Sequence, residues 1–140
     1  MVNRESSGGG NVEIKYDDLI GIPFKDGGRD LAGLDCWGLV RIIYDRMGID
    51  LPDYHIAAAN EPAVNAKMMD QEAQWQRLDH PEMGAVVLIA NGACGRANHV
   101  GVYIGDGRMI HAYAYSGVAI SHIRRWAAHI IGYYTPGKEI

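Results

Sequence analysis

The chain has 140 residues and a formal net charge of −4, with 13 Lys and Arg against 17 Asp and Glu. That length fits one domain with a buried core, and no basic patch or stripe marks a nucleic-acid partner. No apolar run approaches the roughly 18 residues of a membrane span, so membrane insertion is not expected.

The first stretch, MVNRESSGGGN (1–11), lacks the apolar region of a secretory signal. Its Ser-Ser-Gly-Gly-Gly run reads as a flexible arm, which leaves residues 12–140 as a single domain made in the cytoplasm without a signal peptide. VEIKYDDLI (12–20) reads as a short helix, and the Gly-rich GIPFKDGGRDLAG (21–33), interrupted by Pro23, as a loop. Apolar positions then recur at Cys36, Leu39, Val40, Ile43 and Met47, the spacing of a helix with one buried face. Asp35 fits its N-cap and Gly48 its C-terminal stop. Residues 55–78 are Ala- and Gln-rich and read as partly helical.

After Pro81 the texture changes. GAVVLIA, NHVGVYIG, GRMIHAYA, GVAISHI and HIIGYYT are short, rich in β-branched and aromatic residues, and separated by turn residues. They predict an antiparallel meander of four or five strands. Helices first and strands second give an α+β class.

The hairpin around Gly105-Asp106-Gly107 fixes where two histidines point. With a three-residue loop, Ile104 pairs with Arg108 and Gly101 lies opposite His111, with His99 diagonal to it. His99 and His111 then share one face, while Val100, Val102, Ile104, Ile110 and Ala112 form an apolar surface on the other. A two-residue loop would shift the register by one and split both sets.

Cys36 at the first turn of a helix is either a buried structural thiol or a nucleophile. A helix N-terminus and a nearby imidazole both favour the thiolate. His99 is placed to take the thiol proton and return it to a leaving amine, with His111 orienting it as the third member of a Cys-His-polar array. The charge of Asp35 alone would oppose a thiolate, which points to capping.

DCWGLV (35–40) followed by HVGVYIGDGRMIHA (99–112), together with the upstream GIPFKDGGRDLAGLDC and the closing GYYTP, resembles the NlpC-type cell-wall peptidases, a family of papain-like cysteine peptidases. The resemblance spans about residues 14–136. It implies a papain-like fold, N-terminal helices packed on a C-terminal antiparallel β-sheet. It also implies Cys36 as nucleophile with its own N–H in the oxyanion hole, His99 as general base and acid, and His111 as third residue. Asp35, Trp37, Phe24 and Gly28 would lie along the substrate cleft. No cofactor or metal is implied. The implied substrate is a peptidoglycan stem peptide, cut between D-γ-Glu and a diamino acid. The Trp after the cysteine and GIDLPDY (48–54) resemble the tail-associated branch of bacteriophages, which implies tail-tip proteins as partners and a virion tail or phage-like particle as location.

Two positions depart from the family pattern. The Tyr usual twelve residues before the cysteine is Phe24, which lacks the hydroxyl, and the usual Gly-Asp opening the first strand is Gly84-Ala85. Three rival readings follow: a structural tail-tip component with a weak or unused site, an acyltransferase or amidase on the same scaffold, and a cytosolic enzyme recycling wall peptides. Cys94 reads as a loop thiol, or as a zinc ligand with Cys36, His99 and His111, although no CxxC spacing supports the metal. His55, His80, His122 and His129 show no catalytic spacing. Tyr103, like Trp37, fits either the cleft or the core.

Overall fold

The computed structural model describes residues 14–51, 75–90 and 99–136. The expected N-terminal arm, residues 55–74 of the Ala- and Gln-rich segment, and Cys94 lie outside the described residues.

Helix α1, Cys36–Arg46, positions the site. It begins where expected, because the Asp35 carboxylate accepts the Gly38 N–H at 2.7 Å. It ends before Gly48, whose φ of +85° is the left-handed conformation that closes a helix without Cβ strain. Leu39, Val40 and Ile43 are fully buried and belong to one cluster with Val100, Val102, Ile110 and Ala112 of the sheet. Burying each such aliphatic side chain contributes about 1.5–3 kcal/mol, so this seam fixes α1 to the sheet.

The segments before α1 differ from expectation in two ways. Of the helix expected over 12–20, the described part, 14–20, holds a single 3-10 turn, Asp17–Leu19, whose N-terminal residue Tyr16 makes no side-chain capping bond. Leu19 is buried while Ile20 is largely exposed, so there is no apolar face to sustain a longer helix. The Gly-rich loop contains a two-stranded ribbon, β1 (Arg29–Asp30) paired with β2 (Gly33–Leu34).

Among the described residues six strands form the main sheet: β3 (Trp75–Leu78), β4 (Val86–Ile89), β5 (His99–Gly105), β6 (Arg108–Tyr113), β7 (Gly117–His122) and β8 (Ile130–Pro136). A four-residue helix, α2 (Ile123–Trp126), precedes β8. All five predicted strand segments are present, and the class is α+β. Two features correct the expectation. Trp75–Leu78, read as part of a helical stretch, is a strand. The meander holds only for β4 to β7, because β8 crosses back and the order is β3-β8-β4-β5-β6-β7. All four residues of β4 are buried, and a strand covered on both faces needs hydrogen-bond partners on both edges. Insertion of β8 supplies the second edge.

The histidine hairpin keeps the expected register with a different turn. Val102 pairs with Ile110 and Tyr103 with Met109, which continues to Gly101 opposite His111. At the tip Gly105 pairs with Arg108, not Ile104, so the loop is the two-residue Asp106-Gly107. Both turn residues have positive φ, 54° and 74°, as a type I′ hairpin turn requires. The irregularity between Tyr103 and Gly105 absorbs one residue and restores the alternation.

Two substitutions test how α1 is seated. A Cβ at Gly38 would collide with the Gly28 backbone carbonyl and approach Asp35 Oδ1 at 3.2 Å. Gly38→Ala is expected to lose about 1–3 kcal/mol of stability in denaturant unfolding, although Ala is the better helix former. The Tyr44 hydroxyl donates to the Gly84 carbonyl across the helix–sheet seam. Tyr44→Phe leaves that carbonyl without its buried partner, with an expected loss of about 1–3 kcal/mol in the same measurement.

Candidate active site

The site is built on a buried carboxylate. Asp35 is 1% exposed. Its Oδ1 accepts from the Gly38 N–H at 2.7 Å and from Arg29 Nη1 at 2.5 Å, and its Oδ2 accepts from the Gly27 N–H at 3.2 Å. The Gly28 carbonyl completes the clamp by accepting from the Asp35 N–H at 3.2 Å and from Arg29 Nη1 at 2.9 Å. A buried charge persists only when it is paired and hydrogen-bonded in this way. A Cβ at Gly28 would run into the Gly33 carbonyl, so the glycine is dictated by the close approach of two backbone segments.

The clamp presents Cys36 as the first residue of α1. The thiol is free and buried. Backbone amides of Val100, Trp37 and Cys36 itself hydrogen-bond the sulfur and favour its anion. The Val100 amide sets the sulfur against β5 one residue along the chain from His99. Burial is the larger effect and, with the Asp35 charge beside it, pushes the thiol up to about 12. The expectation that the helix terminus would lower this value is therefore overturned. Desolvation and a neighbouring carboxylate outweigh the amides, and the resting sulfur is a neutral thiol.

His99 opens β5, and His111 sits diagonally across on β6. Their rings share the face opposite Val100 and Ala112, as the alternation predicted. His99 Nε2 and His111 Nδ1 are 2.8 Å apart, and His111 Nε2 lies 2.8 Å from Ser121 Oγ on β7. Three polar side chains on three adjacent strands thus form one linear array. Burial, with the His111 charge adding, drives His99 down to about 3, and burial drives His111 down to about 4. Both imidazoles are neutral at pH 7.

Aromatic rings enclose the pair. The Trp126 ring lies 5.1 Å from His111 and 5.9 Å from His99, and Tyr113 lies 5.4 Å from Trp126 and 5.8 Å from His99. Beyond His111 a cleft of about 500 Å³ opens, lined by Tyr113, Tyr115, Ser121, Arg125 and Trp126 among others.

Of the residues expected along the substrate cleft, Asp35, Trp37 and Gly28 are buried and engaged within the protein. They serve as framework instead of presenting surface to a ligand. Trp37 packs edge-on against Trp75, with ring centroids 6.2 Å apart. Phe24 is half-buried against the core, bridged through its backbone to Leu34. His122 caps α2, accepting the Arg124 N–H at 3.3 Å, and the Tyr103 hydroxyl accepts the Gly107 N–H at 2.9 Å. Among the described residues no group of three His, Cys, Asp or Glu converges on a metal position. Sequence reasoning missed Arg29, Tyr113, Ser121 and Trp126. The alternation of GVAISHI places Ser121 on the histidine face once the β6–β7 register is known, and Met109 opposite Ser121 supplies it.

The NlpC/P60 family model matches residues 21–134. Over 118 residues the chain is 32% identical to a murein DD-endopeptidase/LD-carboxypeptidase of Escherichia coli K12, covering 79% of this chain and 56% of that protein. Over 104 residues it is 32% identical to a γ-D-glutamyl-L-lysine dipeptidyl-peptidase of Bacillus cereus, covering 69% of this chain and 28% of the relative. The chain thus spans about half the length of the first relative and less of the second. Among solved structures, an NLP/P60-family lipoprotein-like protein of Staphylococcus aureus superimposes with a TM-score of 0.62 at 23% identity, over 86% of this chain and 38% of that one. Its likeness shows the shared fold. A helix headed by cysteine and seated on a sheet that carries paired histidines, matched over most of its length by the family model, places this chain in the NlpC/P60 family.

Proposed function

We propose that the chain is a cysteine endopeptidase that hydrolyses peptidoglycan stem peptides through a thioester. The observation that carries this reading is the array His99–His111–Ser121, which begins on the strand whose Val100 amide reaches the thiol at the head of α1. His99 Nε2 is engaged by His111, which leaves Nδ1 as the nitrogen for the thiol proton. As Cys36 Sγ attacks the scissile carbonyl carbon, its proton moves to His99 Nδ1 and the C–S bond forms. The Cys36 N–H supports the oxyanion. Collapse breaks the C–N bond, and His99 gives the proton to the departing amine. Water then attacks the thioester with His99 as base, releasing the new carboxylate and restoring the thiol. Because thiol and imidazole both rest neutral, proton transfer accompanies attack and does not precede it.

Peptidoglycan as substrate is supported by what the relatives are named for. The Bacillus cereus relative's name favours the bond between D-γ-Glu and a diamino acid, and the Escherichia coli relative's name supplies the rival DD bond. The setting we propose is the tip of a phage or phage-like tail, with tail proteins as partners, on the resemblance of DCWGLV and GIDLPDY to that branch. Phe24 favours one second reading, a structural tail component with a weak site, because it supplies no hydroxyl where the family has Tyr.

Purified protein incubated with peptidoglycan is expected to generate new stem-peptide ends by mass spectrometry, and Cys36→Ala to generate none. Ends at D-γ-Glu support the bond proposed, and ends at a DD bond replace it. Absence of cleavage, with both proteins incorporated into tails, would establish the structural reading. His99→Ala is expected to lower kcat by at least about 100-fold.

The neutral histidines also carry a stability consequence. Their folded values are depressed below the unfolded value near 6.5, so below pH 6.5 the unfolded chain takes up protons that the folded chain does not. Stability is therefore expected to fall as pH drops from 6.5 towards 4, by up to about 1.4 kcal/mol per pH unit for each histidine. Urea unfolding at pH 7, 6 and 5 measures the slope, and His111→Asn should reduce it.

A further inference from the structure

We propose that Ser121 is a positioning residue whose hydroxyl accepts the His111 Nε2–H and so holds both imidazoles in the tautomer that leaves His99 Nδ1 able to take a proton. The assignment rests on the catalytic reading above, whereas its spectroscopic readout is independent of activity.

Two internally consistent directions exist for the array. In one, His99 Nε2–H donates to His111 Nδ1, and His111 Nε2–H donates to Ser121 Oγ. In the other, Ser121 donates to His111 Nε2, His111 Nδ1–H donates to His99 Nε2, and the His99 proton sits on Nδ1. The distances, 2.8 Å at each link, suit either. The far-end hydroxyl can serve either, because it has one proton and two acceptor lone pairs, and only the first direction leaves His99 Nδ1 unprotonated, as the catalytic reading requires. When Ser121 accepts, its own proton turns towards the cleft. The reverse direction would leave His99 Nδ1 already protonated and unable to take the thiol proton.

The placement is specific. Ser121 stands opposite Met109, and Ala119 stands opposite His111, so Ser121 reaches His111 diagonally across the strand pair. The titratable and charged groups around the His111 ring and its cleft are His99 from β5, Tyr113 from β6, Tyr115 just beyond it and Arg125 from α2, and no carboxylate is among the described residues lining the cleft. The array therefore ends in a neutral acceptor, and a substitution there changes direction or acceptor strength without touching the reacting atoms.

The test uses the full chain labelled with 15N-histidine, read by two-bond 1H–15N correlation at pH 7. Wild type is expected to show both His99 and His111 protonated at Nε2. Ser121→Ala should shift His111 towards a mixture of tautomers and lower kcat about tenfold, with KM within about twofold. Ser121→Thr should restore the Nε2–H tautomer and most of kcat. Ser121→Asp, which only accepts, should keep the tautomer and raise the titration midpoint of His111; these two variants carry the test if the alanine variant does not fold. Nδ1–H at His99 in wild type, an unchanged tautomer and kcat in Ser121→Ala, or loss of the Nε2–H tautomer in both folded Thr and Asp variants would overturn the proposal. A wild type without peptidase activity removes the catalytic reading, and the tautomer spectra still decide the role of Ser121.

Discussion

The carboxylate of Asp35 is the constraint on which the site is organised. It is buried, and burial of a charge is tolerated only with full pairing. Gly38, Gly27 and Arg29 each donate to it, and each belongs to a different local structure. One side chain therefore ties the start of α1 to the glycine-rich segment and to β1. Because Cys36 is the next residue, the position of the sulfur is inherited from this clamp. The same charge opposes ionisation of that sulfur. The anchor that places the thiol also opposes its ionisation, and in the proposed mechanism this is why an imidazole is needed at the moment of attack and not before.

The histidine pair shows the complementary logic. Its members come from adjacent strands, and their rings meet because β5 and β6 keep one register through most of their length. Trp126 and Tyr113 cover the rings and keep water from competing for the link between them. Exclusion of water holds the imidazoles neutral, and a neutral His99 is able to accept a proton. Enclosure and basicity are therefore two results of one packing arrangement.

The sequence carried these features unequally. Helix α1 was legible because a cap, an apolar period and a glycine stop agree over a short window. The face shared by His99 and His111 was legible because only one register keeps Val100, Val102, Ile110 and Ala112 together. The turn was misread because a bulge and a shorter loop give the same alternation as a longer loop. The return of β8 and the strand at Trp75–Leu78 were hidden for another reason. Pairing partners far apart in the chain leave no local pattern, and among the described residues β3 pairs only with β8. Arg29 and Ser121 were missed likewise, since a partner for a buried polar atom is recognisable only once the burial is known. The thiol value went astray because helix position is visible in a sequence and desolvation is not.

The crossing of β8 bears on how the molecule is made. Of the six strands it is the last to leave the ribosome, yet it lies between β3 and β4. Until it arrives, among the described strands β4 has one open flank and β3 has no partner. The layer that carries both histidines is thus completed by the final strand of the sheet, and a nascent chain in the producing cell carries an unfinished sheet beneath its reactive groups until synthesis has passed Pro136.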